Sequence, residues 1–330
     1  MKHPSSENGS ALVAVLGLIF TAGMLTAAIL ALSRTGTFEV LPHVARQRSM
    51  YILEGAGNRI QYLLAADRYL NDDVTLGELD YSEFDYERYV ADGVPHLLDY
   101  YGEAVEFVIT DAASGFPMTA SSYTQTLQRM ARGFEDDSEW NDKLTEFHDK
   151  LADYIDSDTD VKTDGMESGE YEELPLYNLP RNAAPQFREE LLWIPGAREL
   201  FPPDKNGRFT RVTIIPPEKM GDIPVKPSLM TADELMLRTY CGLDEDEAKE
   251  VLESLRRLRT DRELLSETLD PLIAERLSNL AVKESGFYTV DVKLSSEDKK
   301  PSARFSFSFE GFSVTGPADK TVRFLDWMIF

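Results

Sequence analysis

Basic residues are in short supply in this chain. Lysine and arginine number 34 against 58 aspartates and glutamates, a net charge of −24 over 330 residues. A surface of that sign repels phosphate backbones and argues against nucleic-acid binding. It favours solubility and suits hard cations that take oxygen ligands. Cysteine is almost missing: Cys241 stands alone, so no intrachain disulfide can form, and a small apolar role in the interior is expected for it. Histidine is sparse as well, and His3, His43, His96 and His148 include no pair at zinc-protease spacing. The chain has no glycine-rich phosphate loop, no dinucleotide fingerprint and no nucleophile elbow. These absences argue against an enzyme. Apolar residues, at 42%, suffice for a sizeable core, and the length fits one or two domains outside a membrane.

One feature is abundant, an uncharged apolar run near the N-terminal end. A polar leader ends in Gly9, Ser10 follows, and residues 11–32 are free of charge up to Ser33-Arg34. As a helix this run rises about 33 Å, enough for the roughly 30 Å hydrocarbon core of a bilayer. A single membrane helix is expected. A secretory signal has a shorter apolar core with a small-residue cleavage site after it. Here the small residue, Gly9, precedes the run, so a cut there removes residues 1–9 and keeps the helix. That layout is the one of a type IV prepilin-like signal, and an uncleaved signal anchor is the plainer alternative. Charge fixes no orientation, because Lys2 is offset by Glu7 and Arg34 lies on the other flank.

Further along, a helical pattern resumes over residues 44–66, with Ile52, Gly55, Ile60 and Leu63-Leu64 near one stripe, and Pro42 predicts a kink or break before it. Residues 67–103 are acidic and aromatic and read as irregular with short helices. Residues 105–110 read as a strand closed by Asp111-Ala-Ala-Ser-Gly115. Trp140, Leu144, Phe147, Leu151 and Tyr154 fall on one helix face, which reads as core. Asp233 and Asp244 mark helix starts. Residues 287–292, 303–309 and 322–328 alternate like strands of a half-exposed antiparallel sheet. Strand-forming segments therefore bracket a helical block.

The sharpest chemical signal is residues 156–167. Counted from Asp156, carboxylates fall at positions one, three, five, nine and twelve, namely Asp156, Asp158, Asp160, Asp164 and Glu167. This is EF-hand ligand spacing, which lets short side chains aim several oxygens at one calcium ion while the last Glu reaches in from the next turn. Position six is Val161 rather than Gly, and residues 168–175 do not read as a second helix. A calcium loop of another shape is therefore expected, with Glu170 and Asp153 as further ligand candidates. The plain alternative is a solvated acidic loop. Acids clustered in one loop do not give the two carboxyls facing across a cleft that a hydrolase needs.

In its order of parts and in several motifs the chain resembles the K-type minor pseudopilins of type II secretion systems, the general secretion pathway protein K family. Leu151-Ala-Asp-Tyr-Ile-Asp156-Ser-Asp158 is similar to the family's D-W-x-D-x-D stretch, and Gly165-Met-Glu167-Ser-Gly-Glu170-Tyr171 to its G-A-E-D-x-Y segment. Tyr177-Asn-Leu-Pro-Arg-Asn182 with Glu190-Leu-Leu-Trp-Ile-Pro-Gly196 resembles its P-Y-x-x-x-N and E-L-x-x-V-x-G block, and Leu280-Ala-Val-Lys-Glu-Ser285-Gly-Phe287 its entry to the last strands. The family's strand-then-N-L-N pattern is replaced by Phe116-Pro-Met-Thr119 and Pro224-Val-Lys-Pro-Ser228, as in a divergent member.

The resemblance implies an α+β fold with a long N-terminal hydrophobic helix, an antiparallel pseudopilin sheet and a large inserted α-helical domain. The implied divisions are a leader (1–9), a transmembrane helix (10–34), a stem helix (35–66), a sheet domain (67–117 and 280–330) and the insert (118–279). It implies cleavage after Gly9 by a prepilin peptidase, a methylated Ser10, and calcium held by Asp156, Asp158, Asp160, Asp164, Glu167 and Glu170. Ordinary pilin-like subunits carry Glu at mature position five, where it offsets a neighbour's N-terminal amine in lipid. Here that position is Ala14, which suits a subunit placed first in the filament, although a lipid-facing alanine is the bland reading. The implied partners are minor pseudopilins of the I and J types, the major pseudopilin, the peptidase and a secreted substrate. The implied place is the inner membrane, with the ectodomain in the periplasm. A type IV pilus-like minor pilin and a membrane-anchored periplasmic hydrolase are the alternatives.

Overall fold

The computed structural model describes residues 7–71, 75–174, 176–204, 208–215, 226–294, 304–311 and 323–329. Helix α1 (Glu7–Leu70) is 64 residues long. Its stretch Leu12–Leu30 has a mean hydropathy of 2.3 and is wholly exposed, and among the described residues it is the one helix long and apolar enough to cross a membrane. Lower down, Leu53, Ala56, Ile60 and Leu64 recur at spacings of three and four and are fully buried, while Tyr51, Tyr62 and Tyr69 face outward. Of the kink or break expected at Pro42, the break does not occur, and α1 runs through it. A proline removes one rung of the ladder and crowds the turn before it. That loss is local, and helix already formed on both sides carries the chain across it.

Residues 75–94 are irregular with one 3₁₀ turn at Tyr81–Glu83, as expected, but the stretch then enters a strand that was not expected, β1 (Pro95–Tyr100). Its inward positions are His96 and Leu98, while Leu97 faces solvent, so the apolar alternation that marks a strand is scrambled. Pro95 can open β1 because a first position on an edge strand needs no ladder N–H. Tyr101 and Gly102, with φ of 54° and 75°, turn the chain directly into β2 (Glu103–Asp111). Two successive positive φ values make the tight hairpin whose twist matches the strands.

Beyond β2 the short strand β3 (Phe116–Pro117) leads into a helical block of α2 (Tyr123–Gly133), α3 (Ser138–Ile155), α4 (Ser168–Glu173) and α5 (Ala197–Leu200). Strand β4 (Val212–Thr213) pairs in parallel with β3. The block continues through α6 (Glu234–Cys241), α7 (Glu245–Asp261), α8 (Leu265–Thr268) and α9 (Pro271–Leu277). Asp233 and Asp244 cap α6 and α7 as their positions predict, each accepting a backbone N–H at 2.9 Å. The chain then returns as β5 (Phe287–Leu294), β6 (Arg304–Glu310) and β7 (Arg323–Ile329).

The main sheet has the order β1-β2-β5-β6-β7 and is antiparallel throughout. β2 and β5 are direct neighbours, with Val108 opposite Asp291, so the helical block is spliced between two adjacent strands. Two cores result. Leu53, Ile60 and Leu64 of α1 pack on Val105, Phe107, Val290, Phe305, Phe307 and Phe309 of the sheet. Gly57 permits this approach, because a Cβ there would lie 2.8 Å from the Phe307 ring. The helical block has its own core, including Leu144, Phe147, Leu151, Tyr154 and the buried Cys241.

Candidate functional site

The end of α3 sets the site. Asp137 caps its start, accepting from the Trp140 N–H at 2.9 Å, and the stripe from Leu144 to Tyr154 turns one face to the core. The buried Tyr154 hydroxyl donates to Glu190 at 2.8 Å, which pins the last turn. Asp153, on that turn, is fully buried. Asp156 follows one turn later, where α3 ends and unpaired carbonyls already make the surroundings negative.

The loop then doubles back over the helix end. The Lys162 N–H donates to Asp153 Oδ2 at 3.1 Å, and the Asp160 N–H donates to Asp158 Oδ1 at 3.0 Å. Gly165 passes so close that a Cβ there would stand 1.8 Å from Asp153 Oδ2. This glycine is required by space. Glu167 precedes α4, and its N–H donates to Glu170 Oε2 at 3.0 Å.

The fold thereby brings Asp153, Asp156 and Glu167 together, with one carboxylate oxygen of each inside a 4.8 Å span. Both oxygens of Glu167 and Oδ1 of Asp156 are buried with no hydrogen-bond partner. The Lys162 ammonium lies 2.8 Å from Asp153 Oδ1 and 2.7 Å from Asp156 Oδ2. Burial, reinforced by the charges of Asp153 and Asp156, raises the Glu167 carboxyl above the usual range. Hydrogen bonds to Asp153 and Asp156 raise the Lys162 ammonium. The buried Tyr171 hydroxyl, also without a partner, is raised by burial and then by Asp153 and Glu167.

Such a centre could hold a hard cation. Its donors are all carboxylate oxygens, three of them are buried and unsatisfied, and Gly165 clears the space beside Asp153. Of the acids singled out by spacing, Asp156 and Glu167 converge, joined by Asp153 from the helix. Asp158, Asp160 and Asp164 are exposed, and among the described residues they are not part of the cluster. Glu170 is exposed and is engaged with the Glu167 backbone. Sequence reasoning missed Lys162, which reads as an ordinary loop lysine. At the other end of the molecule, Gly9 and Ser10 lie in the first turns of α1, and Ala14 is exposed on it.

No family model matches the sequence, and no curated protein matches it. Among solved structures it is similar to a chain in the crystal structure of the GspK-GspI-GspJ complex from the type 2 secretion system of enterotoxigenic Escherichia coli. The two share 13% identity at a TM-score of 0.52, over 87% of this chain and 98% of that one. The chain has a GspK-like fold. The part of this chain left uncovered, 13%, is far smaller than the block between β2 and β5, so the likeness extends into that block. The acidic centre lies in the block, between α3 and α4.

Proposed function

We propose that the chain is a GspK-type minor pseudopilin of a type II secretion system. Its role is assembly: it initiates or caps the pseudopilus, at the tip, during protein export across the outer membrane. The observation that carries this reading is the likeness over 98% of a chain from the GspK-GspI-GspJ complex. The apolar, exposed first half of α1 supports a single-pass anchor in the inner membrane, with the sheet and helical block in the periplasm. Its partners are then minor pseudopilins of the I and J types and the major pseudopilin, packed along α1. A secreted substrate meets the exposed helical block.

Under the same reading Asp153, Asp156 and Glu167 hold a calcium ion, with the exposed acids of the loop nearby. The ion supplies positive charge to carboxylates that the fold has desolvated. The chain's part is to converge the oxygens, exclude water from Glu167 and clear room at Gly165. No enzymatic activity is proposed.

Processing tests the assembly reading. Expression of the full chain with a prepilin peptidase should give a protein that lacks residues 1–9 and begins with a methylated Ser10 by intact mass. An unprocessed chain, or a cut beyond the apolar run, would contradict it.

A further inference from the structure

Three carboxylates gathered at a helix C-terminus, Asp153 and Glu167 buried and Asp156 half-buried, repel one another and need a counter-charge. Lys162 supplies one from within the loop. Its backbone N–H holds Asp153 Oδ2 at 3.1 Å, and its side chain returns to place the ammonium on Asp153 Oδ1 and Asp156 Oδ2. One residue thereby engages both oxygens of Asp153. Glu167 stays outside this arrangement, with neither oxygen hydrogen-bonded.

We propose that Lys162 is a tethered competitor for the cation at the Asp153–Asp156–Glu167 centre, so that calcium binds only by displacing its ammonium. This rests on the calcium reading above. Calcium coordinates oxygens at about 2.3–2.6 Å. Lys162 engages both oxygens of Asp153, so an ion that joins Asp153 to Asp156 and Glu167 needs a lone pair that Lys162 now uses, and two cations cannot share that space. Lys162 can leave, because its side chain is 37% exposed, whereas Asp153 is fully buried and stays. The cost of freeing the oxygens lowers the apparent calcium affinity by the fraction of molecules in which Lys162 is displaced. In return, the calcium-free protein keeps its helix end and loop joined.

The test is calorimetric titration of calcium into the full-length chain in detergent, compared with Lys162→Met, which keeps the length and loses the charge. The variant is expected to bind calcium at least tenfold more tightly, and to melt at a lower temperature than the parent in excess chelator. Equal or weaker calcium binding by the variant would overturn the competitor role and leave the calcium reading standing. Absence of binding in both proteins would remove the calcium reading and this inference with it. The unmutated chain gives a second measurement, should the variant fold poorly. Acetylation of Lys162, followed by peptide mass spectrometry, should become several-fold faster in millimolar calcium and not in millimolar sodium. An unchanged or slower rate in a calcium-bound protein would overturn the proposal.

Discussion

Asp111, the last residue of β2, accepts both the backbone N–H of Ser285, at 2.7 Å, and its hydroxyl, at 2.6 Å, across 174 residues of chain. Ser285 stands just before β5, so this contact closes the helical block where it leaves and re-enters the sheet. Asp111 also accepts from the Ala113 N–H at 2.8 Å and is almost wholly buried. Asp111→Ala would leave these buried donors unsatisfied and is expected to cost about 2–4 kcal/mol. Urea unfolding measures the loss. A change below about 0.5 kcal/mol would show that the contact does not hold the junction.

Two buried carboxyls make stability depend on pH. Burial pushes the carboxyls of Asp92 and Asp111 up to about 6 from the ordinary 3.8. A raised carboxyl pKa means that the folded state holds its proton more tightly than the unfolded chain. Its stabilising contribution is complete below pH 3.8 and lost as pH rises through about 6. The unfolding free energy from urea melts should therefore fall between pH 4 and pH 7, by on the order of 1–3 kcal/mol. Asp92→Asn should flatten part of that slope. A midpoint that rises with pH over the same range would contradict the assignment.

At the acidic centre the decisive position is a glycine. Gly165→Ala would drive a methyl group into Asp153 Oδ2. Displacing a buried carboxylate or its loop should cost about 1–3 kcal/mol and weaken calcium binding. Calorimetry beside a melting curve separates the two effects. A variant with parental calcium affinity would show that Asp153 is not a ligand.

Ala14 is exposed on α1, in the stretch long and apolar enough to cross a membrane. Ala14→Glu should leave the melting temperature of the ectodomain unchanged, because no packed contact is lost. It should impair secretion if absence of a carboxylate there marks the first subunit of the filament. Unchanged secretion would argue against a tip role for this position.

Much of the fold is legible where one physical pattern dominates. Period-3.6 stripes mark the stem of α1 and the inner face of α3, and Asp233 and Asp244 announce the helices that they cap. β5, β6 and β7 show as apolar alternation. β1 is hidden because a histidine takes one of its inward positions, and its leucines divide between the two faces. Pro42 reads as a breaker, because sequence shows the lost hydrogen bond and not the length of helix on either side. In the acidic loop, spacing singles out Asp156 and Glu167 together with three acids that the fold leaves in solvent. Which carboxylates converge depends on the last turn of α3 and on the close pass of Gly165, neither of which is visible as a ligand pattern. Lys162 shows no signal at all in the sequence, since its role comes from the fold of the loop.

On the proposed reading this chain assembles as a GspK-type minor pseudopilin. The most direct test is co-expression with the I- and J-type minor pseudopilins of the same organism, followed by affinity purification and light scattering. The three are expected to elute as one stable complex. Elution of this chain alone, while the I- and J-type proteins pair with each other, would contradict it.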